Sequence, residues 1–290
     1  MAKKKAALYN RVGVFDVVLI VIMILFMATI VLPFLHVISV SFSSTGAVSA
    51  NKVGLWPVEF TLATYKQILR DGQFFTAYRN TIFYTIVGTI LSLTVTAMAA
   101  YALSRRKLVG HKLFTTMITI TMFFGGGLIP TYLAVSSYGL IDTPWAMILP
   151  GLVSTWNLIV LRSFFTAYPQ EIIESGQIDG LQEAGVFFRL VLPTSKAALA
   201  TIGLYYAVAY WNSYMPARLY IRDKDLYPVQ HLLQTMLKAT SNLEDDASTR
   251  LVEASIRYGS IVVTVLPIMC VYPWLQKYFV KGVMVGSIKG

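Results

Sequence analysis

Few residues in this chain are typed and spaced for covalent or metal chemistry. Cys270 is the only cysteine of the 290 residues, which excludes a disulfide framework and a cysteine-based zinc site. His36, His111 and His231 lie far apart and form no pair at metal-ligand spacing, so no metal site is expected. The triple glycine Gly125-Gly126-Gly127 lacks the following Lys-Ser/Thr of a phosphate loop. Its expected role is structural, close helix packing or a local break in the segment, with a flexible segment lining the pathway as the alternative. There is no Ser-His-Asp set and no carboxylate pair near an apolar segment, so no catalytic residue is expected. The acidic run Glu244-Asp245-Asp246 lacks calcium-loop spacing and reads as a solvated face.

What remains is recognition chemistry. One apolar segment carries Ser154, Thr155, Trp156 and Asn157, and another carries Tyr205, Tyr206, Tyr210, Trp211, Asn212, Ser213 and Tyr214. On a helix, Tyr206, Tyr210, Ser213 and Tyr214 share a stripe through i, i+3 and i+4 steps. Aromatic rings stack on the apolar faces of sugars, and an asparagine amide bonds hydroxyls. Asn157, Tyr206, Tyr210, Trp211, Asn212 and Tyr214 are therefore candidate pathway residues, with Tyr210 and Asn212 foremost because they lie inside the segment. The competing reading is structural: tyrosine and tryptophan collect at membrane interfaces, and buried asparagine bridges helices.

The elements that must position these groups are membrane spans. The chain is 56% hydrophobic and 13% charged, with mean hydropathy +0.62. Soluble domains are about one-quarter charged, so an ordinary soluble enzyme is excluded, and so is a nucleic-acid partner despite the net charge of +10. A span needs about 20 mostly apolar residues. The best segments are 16–39, 81–103, 113–136, 144–165, 197–218 and 258–278. The expectation is an all-α membrane protein with six spans and both termini on one side. The basic start, MAKKKAALYNR, followed by a long apolar run without a prompt small-residue cleavage site, reads as an uncleaved signal-anchor. Residues 226–237 read as an amphipathic piece outside the membrane.

Short loops decide the orientation. Loop 104–112 carries Arg105, Arg106, Lys107 and Lys112 and no acid, whereas 137–143 carries Asp142 alone. The termini are therefore expected in the cytoplasm, with residues 1–15 and 281–290 as cytoplasmic ends. On that topology the whole positive surplus lies inside, where it can meet anionic membrane lipid.

The most informative stretch is 169–193, PQEIIESGQIDGLQEAGVFFRLVLP. Pro169 suits a first helical turn, and Glu171 and Glu174 suit a helix N-terminus. Gly180 suits a helix stop, and a second helix is expected from about Gln182 to Pro193. Ile172, Ile173, Ile178, Ala184, Phe187 and Phe188 are too many apolar groups for a freely solvated loop. The stretch resembles the cytoplasmic loop of bacterial ABC-importer permeases: EAA, three residues, G, nine residues, I, one residue, LP. Glu174-Ser175-Gly176, Asp179-Gly180, Leu190 and Leu192-Pro193 stand at matching spacing. Ser175 and Gly176 replace the two alanines, and Leu190 replaces isoleucine. GGLIPTYL at 126–133, YAVAYWN at 206–212 and the tail KGVMVGSIKG are similar to the carbohydrate permeases, and most of all to the oligosaccharide subgroup.

The resemblance implies a type I importer permease fold in the bacterial inner membrane. It implies a coupling loop at 169–195, with Glu174, Ser175, Gly176, Asp179, Gly180, Ala184, Leu192 and Pro193 set against an ATPase subunit. It implies as partners a second permease, two ATP-binding-cassette subunits holding ATP and Mg, an extracytoplasmic solute-binding protein, and a sugar or oligosaccharide, acidic ones such as alginate included. No cofactor is expected in this chain itself. The tail 281–290 would reach toward the ATPase. The alternatives are a permease for a non-sugar solute, or a six-span ion-coupled carrier or channel. The last would need an intramembrane charge, and only Asp16, at a span edge, is available.

Overall fold

The computed structural model describes residues 13–241 and 255–271. Expectations for the basic N-terminus, the acidic run 244–246, the end of the sixth segment and the tail 281–290 fall outside those residues. Among the described residues all regular structure is helical. The chain divides into two units, Met1–Arg70 with Leu237–Val263, and Asp71–Met236 with Thr264–Gly290.

The first unit is built on α1 (Val14–Ser41), α2 (Thr45–Ser49) and α3 (Ala63–Arg70). Helix α1 is apolar on every side and exposed over most of its length, the pattern of a helix whose solvent is lipid. Asp16, the one acid at this span edge, caps it: its Oδ2 accepts the Gly13 N–H at 2.8 Å. At the other end Ser39 donates to the Leu55 carbonyl at 2.6 Å, and the Ser43 Oγ accepts the Val58 N–H at 3.0 Å. A small core of Val40, Ala47 and Val53 closes there.

The second unit is organised by α4 (Gly72–Ser104). It is followed by α5 (His111–Phe123), α6 (Leu128–Ser137), α7 (Pro144–Ile148, extended by a 3-10 turn to Gly151) and α8 (Thr155–Thr166). Then come α9 (Gln170–Ile178), α10 (Glu183–Thr194), α11 (Lys196–Trp211) and α12 (Met215–Tyr220). Two further helices, α13 (Val229–Ser241) and α14 (Ser255–Val271), run across the division between the units. Helix α4 packs mainly on α11 and α8. Its packing stripe is Gly88, Ser92, Thr96 and Ala100, small residues one turn apart, and the three with side chains are fully buried. Small side chains let helix axes approach closely, which is how apolar helices associate where no water drives them together.

Helices α1 and α4 are each long and apolar enough to cross a membrane in one piece. Three of the expected segments are instead broken. The pair α5 and α6 bends by 117° at Phe124–Gly127, where Gly127 takes φ +84. Of the two structural roles expected of the triple glycine, the local break is the one seen: a Cβ on Gly125 would meet nothing within 4 Å. The pair α7 and α8 bends by 51°, just after Pro150-Gly151. Helix α11 stops at Trp211 and α12 resumes at Met215. Pro216 explains that stop, because its ring would clash with the Asn212 carbonyl four residues back in a continuous helix. The single stripe expected through Tyr206, Tyr210, Ser213 and Tyr214 is therefore interrupted.

At the Gly72 end of α4, a polar cluster holds the 3-10 turn Lys224–Leu226. Asn80 donates to the carbonyls of Asp225 and Tyr227 at 2.6 and 3.2 Å, and Tyr84 donates to that of Leu226 at 2.9 Å. Nearby, the Asp142 carboxylate accepts the N–H groups of Arg222 and Asp223 at 2.9 and 2.8 Å. Those two backbone bonds hold its carboxyl below the usual value.

Candidate functional site

Two sites lie in the second unit, one at each of the positions the sequence singles out. The first is a cavity of about 480 Å³ at the break between α7 and α8, walled by α11. Asn157, Tyr206 and Tyr210 line it, together with Ser154, Trp156 and Tyr205. Tyr206 and Tyr210 face it from the buried side, and their hydroxyls are already engaged. The Tyr206 hydroxyl accepts the Ser154 N–H at 2.9 Å and shares a 2.7 Å hydrogen bond with Thr96. Tyr210 donates to the Ile148 carbonyl at 3.2 Å and shares a 2.9 Å bond with Ser92. Two tyrosines on one turn of α11 thus satisfy backbone groups that the break would leave unpaired, and tie both sides of it to α4. A buried backbone group without a partner is costly, so the break and the tyrosines require each other.

Tyr210 fits only because position 88 is glycine. A Cβ there would lie 2.7 Å from two carbons of the Tyr210 ring. Trp211, Asn212 and Tyr214 are not among the cavity's lining residues. The Trp211 indole donates to the Thr264 carbonyl at 3.2 Å. Asn212 closes the end of α11 by donating to the Val208 carbonyl at 2.9 Å, and its carbonyl accepts from Gln230 at 3.3 Å. Tyr214 stacks on His231 with centroids 5.7 Å apart. The structure therefore brings together three of the six expected pathway residues at this cavity and places the other three outside it.

The second site is the loop 169–195. Pro169 caps α9, and the helix ends in a left-handed residue, Gly180, at φ +83. The N–H of Leu181 reaches the Gly176 carbonyl at 2.9 Å, and that of Gly180 reaches the Gln177 carbonyl at 3.0 Å. This is the paired closure of a Schellman turn. Ile173 and Gly176 are buried, while Glu174, Ser175, Ile178 and Asp179 are exposed. In α10, residues Phe187–Val191 widen into a π turn just before Pro193, which cannot supply the N–H of a regular helix. Ala184 is exposed, Leu192 packs on the main core, and Pro193 is exposed.

A groove of about 900 Å³ runs beside this loop, with Glu174, Gln177 and Ala184 on one side and Arg105, Arg106 and Lys107 on the other. Glu183 joins the two sides. Its carboxylate pairs with Arg105 at 3.2 Å and accepts from Tyr101 at 2.8 Å and from Gln177 at 3.0 Å. Partial burial alone would raise the Glu183 carboxyl, but the bonds from Tyr101, Arg105 and Gln177 outweigh it and hold it below its ordinary value.

Residues 108–285 match the family described as the binding-protein-dependent transport system inner membrane component. The chain belongs to this family. The permease is similar to the polygalacturonan/rhamnogalacturonan transport system permease protein YtcP of Bacillus subtilis (strain 168), at 40% identity over 95% of this chain and 98% of that one. It is also similar to Protein LplC of the same organism, at 41% identity over 91% and 90%. Among solved structures it resembles a chain of a bacterial ABC transporter involved in the import of the acidic polysaccharide alginate. There the TM-score is 0.86 at 32% identity, over 92% of this chain and 96% of that one. The permease is an inner-membrane transport subunit and not itself an enzyme.

Sequence reasoning did not reach two features of the permease. Glu183 was legible only as one acid of the loop, since its partners Tyr101 and Arg105 lie far away in sequence. Gly88 carries no chemistry of its own. The period of four in Gly88, Ser92, Thr96 and Ala100 was available as a signal of close helix packing.

Proposed function

We propose that this permease forms half of the pathway of an ATP-driven importer for a sugar or oligosaccharide, delivered by an extracytoplasmic binding protein. It crosses the inner membrane in six spans, with both termini in the cytoplasm. Loop 169–195 faces the cytoplasm and carries the coupling helix α9. The other half of the pathway is a second permease, and two ATPase subunits hold the ATP and Mg. Relatives that handle polygalacturonan, rhamnogalacturonan and alginate favour an acidic oligosaccharide as the cargo.

The observation that carries this reading is the build of α9. One face, Ile173 and Gly176, is locked into the core, and the Schellman turn at Gly180 holds the helix rigidly. The opposite face presents Glu174, Ser175 and Ile178, with Ile178 85% exposed. A short, rigid helix with an outward face that is part acidic and part apolar suits docking in a cleft, where Glu174 can accept charge-assisted hydrogen bonds. Asp179 and Gly180 shape the turn behind it, and Ala184, Leu192 and Pro193 set the return helix.

The test is reconstitution. With the second permease, two ATPase subunits and the binding protein, ATPase activity is expected to rise with an oligosaccharide from a panel of acidic and neutral chains. Glu174→Ala and Gly180→Pro are expected to insert and assemble but to uncouple hydrolysis from uptake. Sugar uptake by liposomes holding this chain alone would overturn the reading.

A further inference from the structure

We propose that Arg162 is a positioning residue for coupling: it pins α8 to the Ser104 end of α4, so that movement of the loop 169–195 reaches both helices together. The proposal rests on the import reading above and adds to it the link by which the coupling loop acts on the pathway.

The starting point is how α4 ends. A helix leaves its last carbonyls without an intrahelical N–H, and the helix dipole gathers partial negative charge there. Helix α4 is 33 residues long and has no basic residue in its last turn. Its open carbonyls are answered one by one. That of Tyr101 accepts from the Ser104 hydroxyl at 2.7 Å, and that of Ala102 accepts the Arg105 N–H at 3.2 Å. That of Leu103 is answered from other helices. It accepts the Nε–H of Arg162, on α8, at 3.0 Å, and the His111 Nε2, on α5, lies 3.0 Å from the same oxygen. Arg162 is half-buried and forms no ion pair among the described residues. A partly buried charge needs an answering group, and the carbonyl end of α4 supplies it.

Apolar contact alone would not fix this junction. Leu158, Leu161 and Phe165 of α8 are buried in the main core, where α8 packs on α4. Apolar burial is non-directional, so it holds two helices together without setting their register along the axis. A hydrogen bond from a planar guanidinium is directional and does set it.

The junction lies between two connections to the loop. On one side, the last turn of α4 carries Tyr101, and Arg105 follows it. Both hold Glu183 of α10, which also accepts from Gln177 of α9. On the other side, α8 runs on to Thr166, and only residues 167–169 separate it from α9. The first turns of α8 carry Asn157, which lines the cavity at the α7–α8 break. The loop therefore grips α4 through Glu183 and continues α8 through the chain, and the bond from Arg162 to Leu103 closes the triangle. With that bond, a tilt of α9 and α10 displaces α4 and α8 as one body, and the cavity wall moves with them. Without it, α8 slides on α4 and the displacement is lost before it reaches the cavity.

The experiment uses the assembled transporter with its binding protein in proteoliposomes, and a labelled oligogalacturonide as the probe. Probe taken up per phosphate released, the KM for the loaded binding protein and the unfolding temperature are measured for the parent, Arg162→Met and Arg162→Lys. Methionine keeps much of the apolar stem and loses the donor, whereas lysine keeps a cationic donor. Arg162→Met is expected to lower uptake per ATP about 5-fold or more and to leave the KM in place. Its unfolding temperature is expected to fall by no more than about 4 °C. Arg162→Lys is expected to restore most of the ratio. Glu183→Gln cuts the same link at its other end, so Arg162→Met with Glu183→Gln should couple no worse than the worse single variant. Parent-like coupling in Arg162→Met would overturn the proposal. A proportional fall of uptake and hydrolysis, with a much lower unfolding temperature, would mark ordinary packing and overturn it too. Multiplied losses in the double variant would mark two separate routes, with the same result. If Arg162→Met does not assemble, Arg162→Gln, which is neutral and shorter, carries the same comparisons. A parent complex that moves neither this probe nor any other saccharide would instead defeat the import reading itself.

Discussion

Leu190 fills the space that a side chain on Gly176 would need: a Cβ at position 176 would stand 2.6 Å from the Leu190 Cδ1. These are two of the three positions at which the loop departs from the pattern it resembles. They depart together, because the missing methyl on one helix makes room for the longer reach of leucine on the next.

Gly176→Ala therefore sets two effects against each other. Alanine gains about 1 kcal/mol of helix propensity over glycine, while overpacking costs about 1–3 kcal/mol. The expected net result is a loss of up to about 2 kcal/mol, and weaker coupling. Gly176→Ala combined with Leu190→Ile is expected to recover both. Thermal unfolding of the assembled complex, and its ratio of uptake to ATP hydrolysis, check this. A single variant as stable as the parent would show that Leu190 swings aside freely.

Gly88→Ala is expected to be more damaging. The Tyr210 ring that it would strike is buried and held at its hydroxyl by Ser92 and Ile148, so it cannot rotate away. A loss of about 1–3 kcal/mol is expected, together with a misplaced α7–α8 break. Gly88→Ala with Tyr210→Phe should recover little, since the clash is with the ring and not the hydroxyl. Yield of the folded complex and its unfolding temperature give the answer.

Glu183 should make the loop sensitive to acid. Its folded carboxyl is held below the ordinary 4.5. A depressed acid contributes its stability in full above the unfolded value and loses it as the pH falls through the folded one. The link between α10 and the Arg105 end of α4 should thus be intact at neutral pH and fail only below about 4.5. Glu183→Gln should remove that acid dependence and weaken coupling at pH 7, with a stability effect of about 1 kcal/mol or less because the side chain is more than half exposed. Unfolding measured against pH in the parent and the variant tests it, and identical pH profiles would exclude this role.

Asn80→Ala should loosen the turn 224–226 by removing two hydrogen bonds at once. A cost of about 1–2 kcal/mol is expected, with faster amide exchange at Leu226 and Tyr227 and little change in the coupling loop. Hydrogen exchange resolved by peptide distinguishes this from a global effect.

Much of the loop was legible because its signals are local. Pro169 at the start, Gly180 at the left-handed stop and Pro193 before the next helix each act within a few residues. The breaks were less legible. Pro150-Gly151 and Pro216 announce interruptions, yet the surrounding apolar runs read as continuous spans, since hydropathy records composition and not the path of the backbone. The role of Gly125-Gly126-Gly127 was open for the same reason, as glycine permits both close packing and a sharp turn.

The pathway residues mark the limit most clearly. By itself the sequence determined that the chain is helical and built for lipid, that its chemistry is recognition and not catalysis, and that α9 and α10 form a turn-closed pair. Those conclusions rest on composition and on interactions within one or two helical turns. Only the tertiary structure decided which polar groups are engaged within the fold. Tyr206 and Tyr210 were candidates of the same kind as Asn157, but their hydroxyls are engaged by residues more than a hundred positions away, Thr96 and Ser92. Whether a side chain serves the fold or a ligand depends on which distant helix packs beside it, and that is settled when α4, α8 and α11 come together.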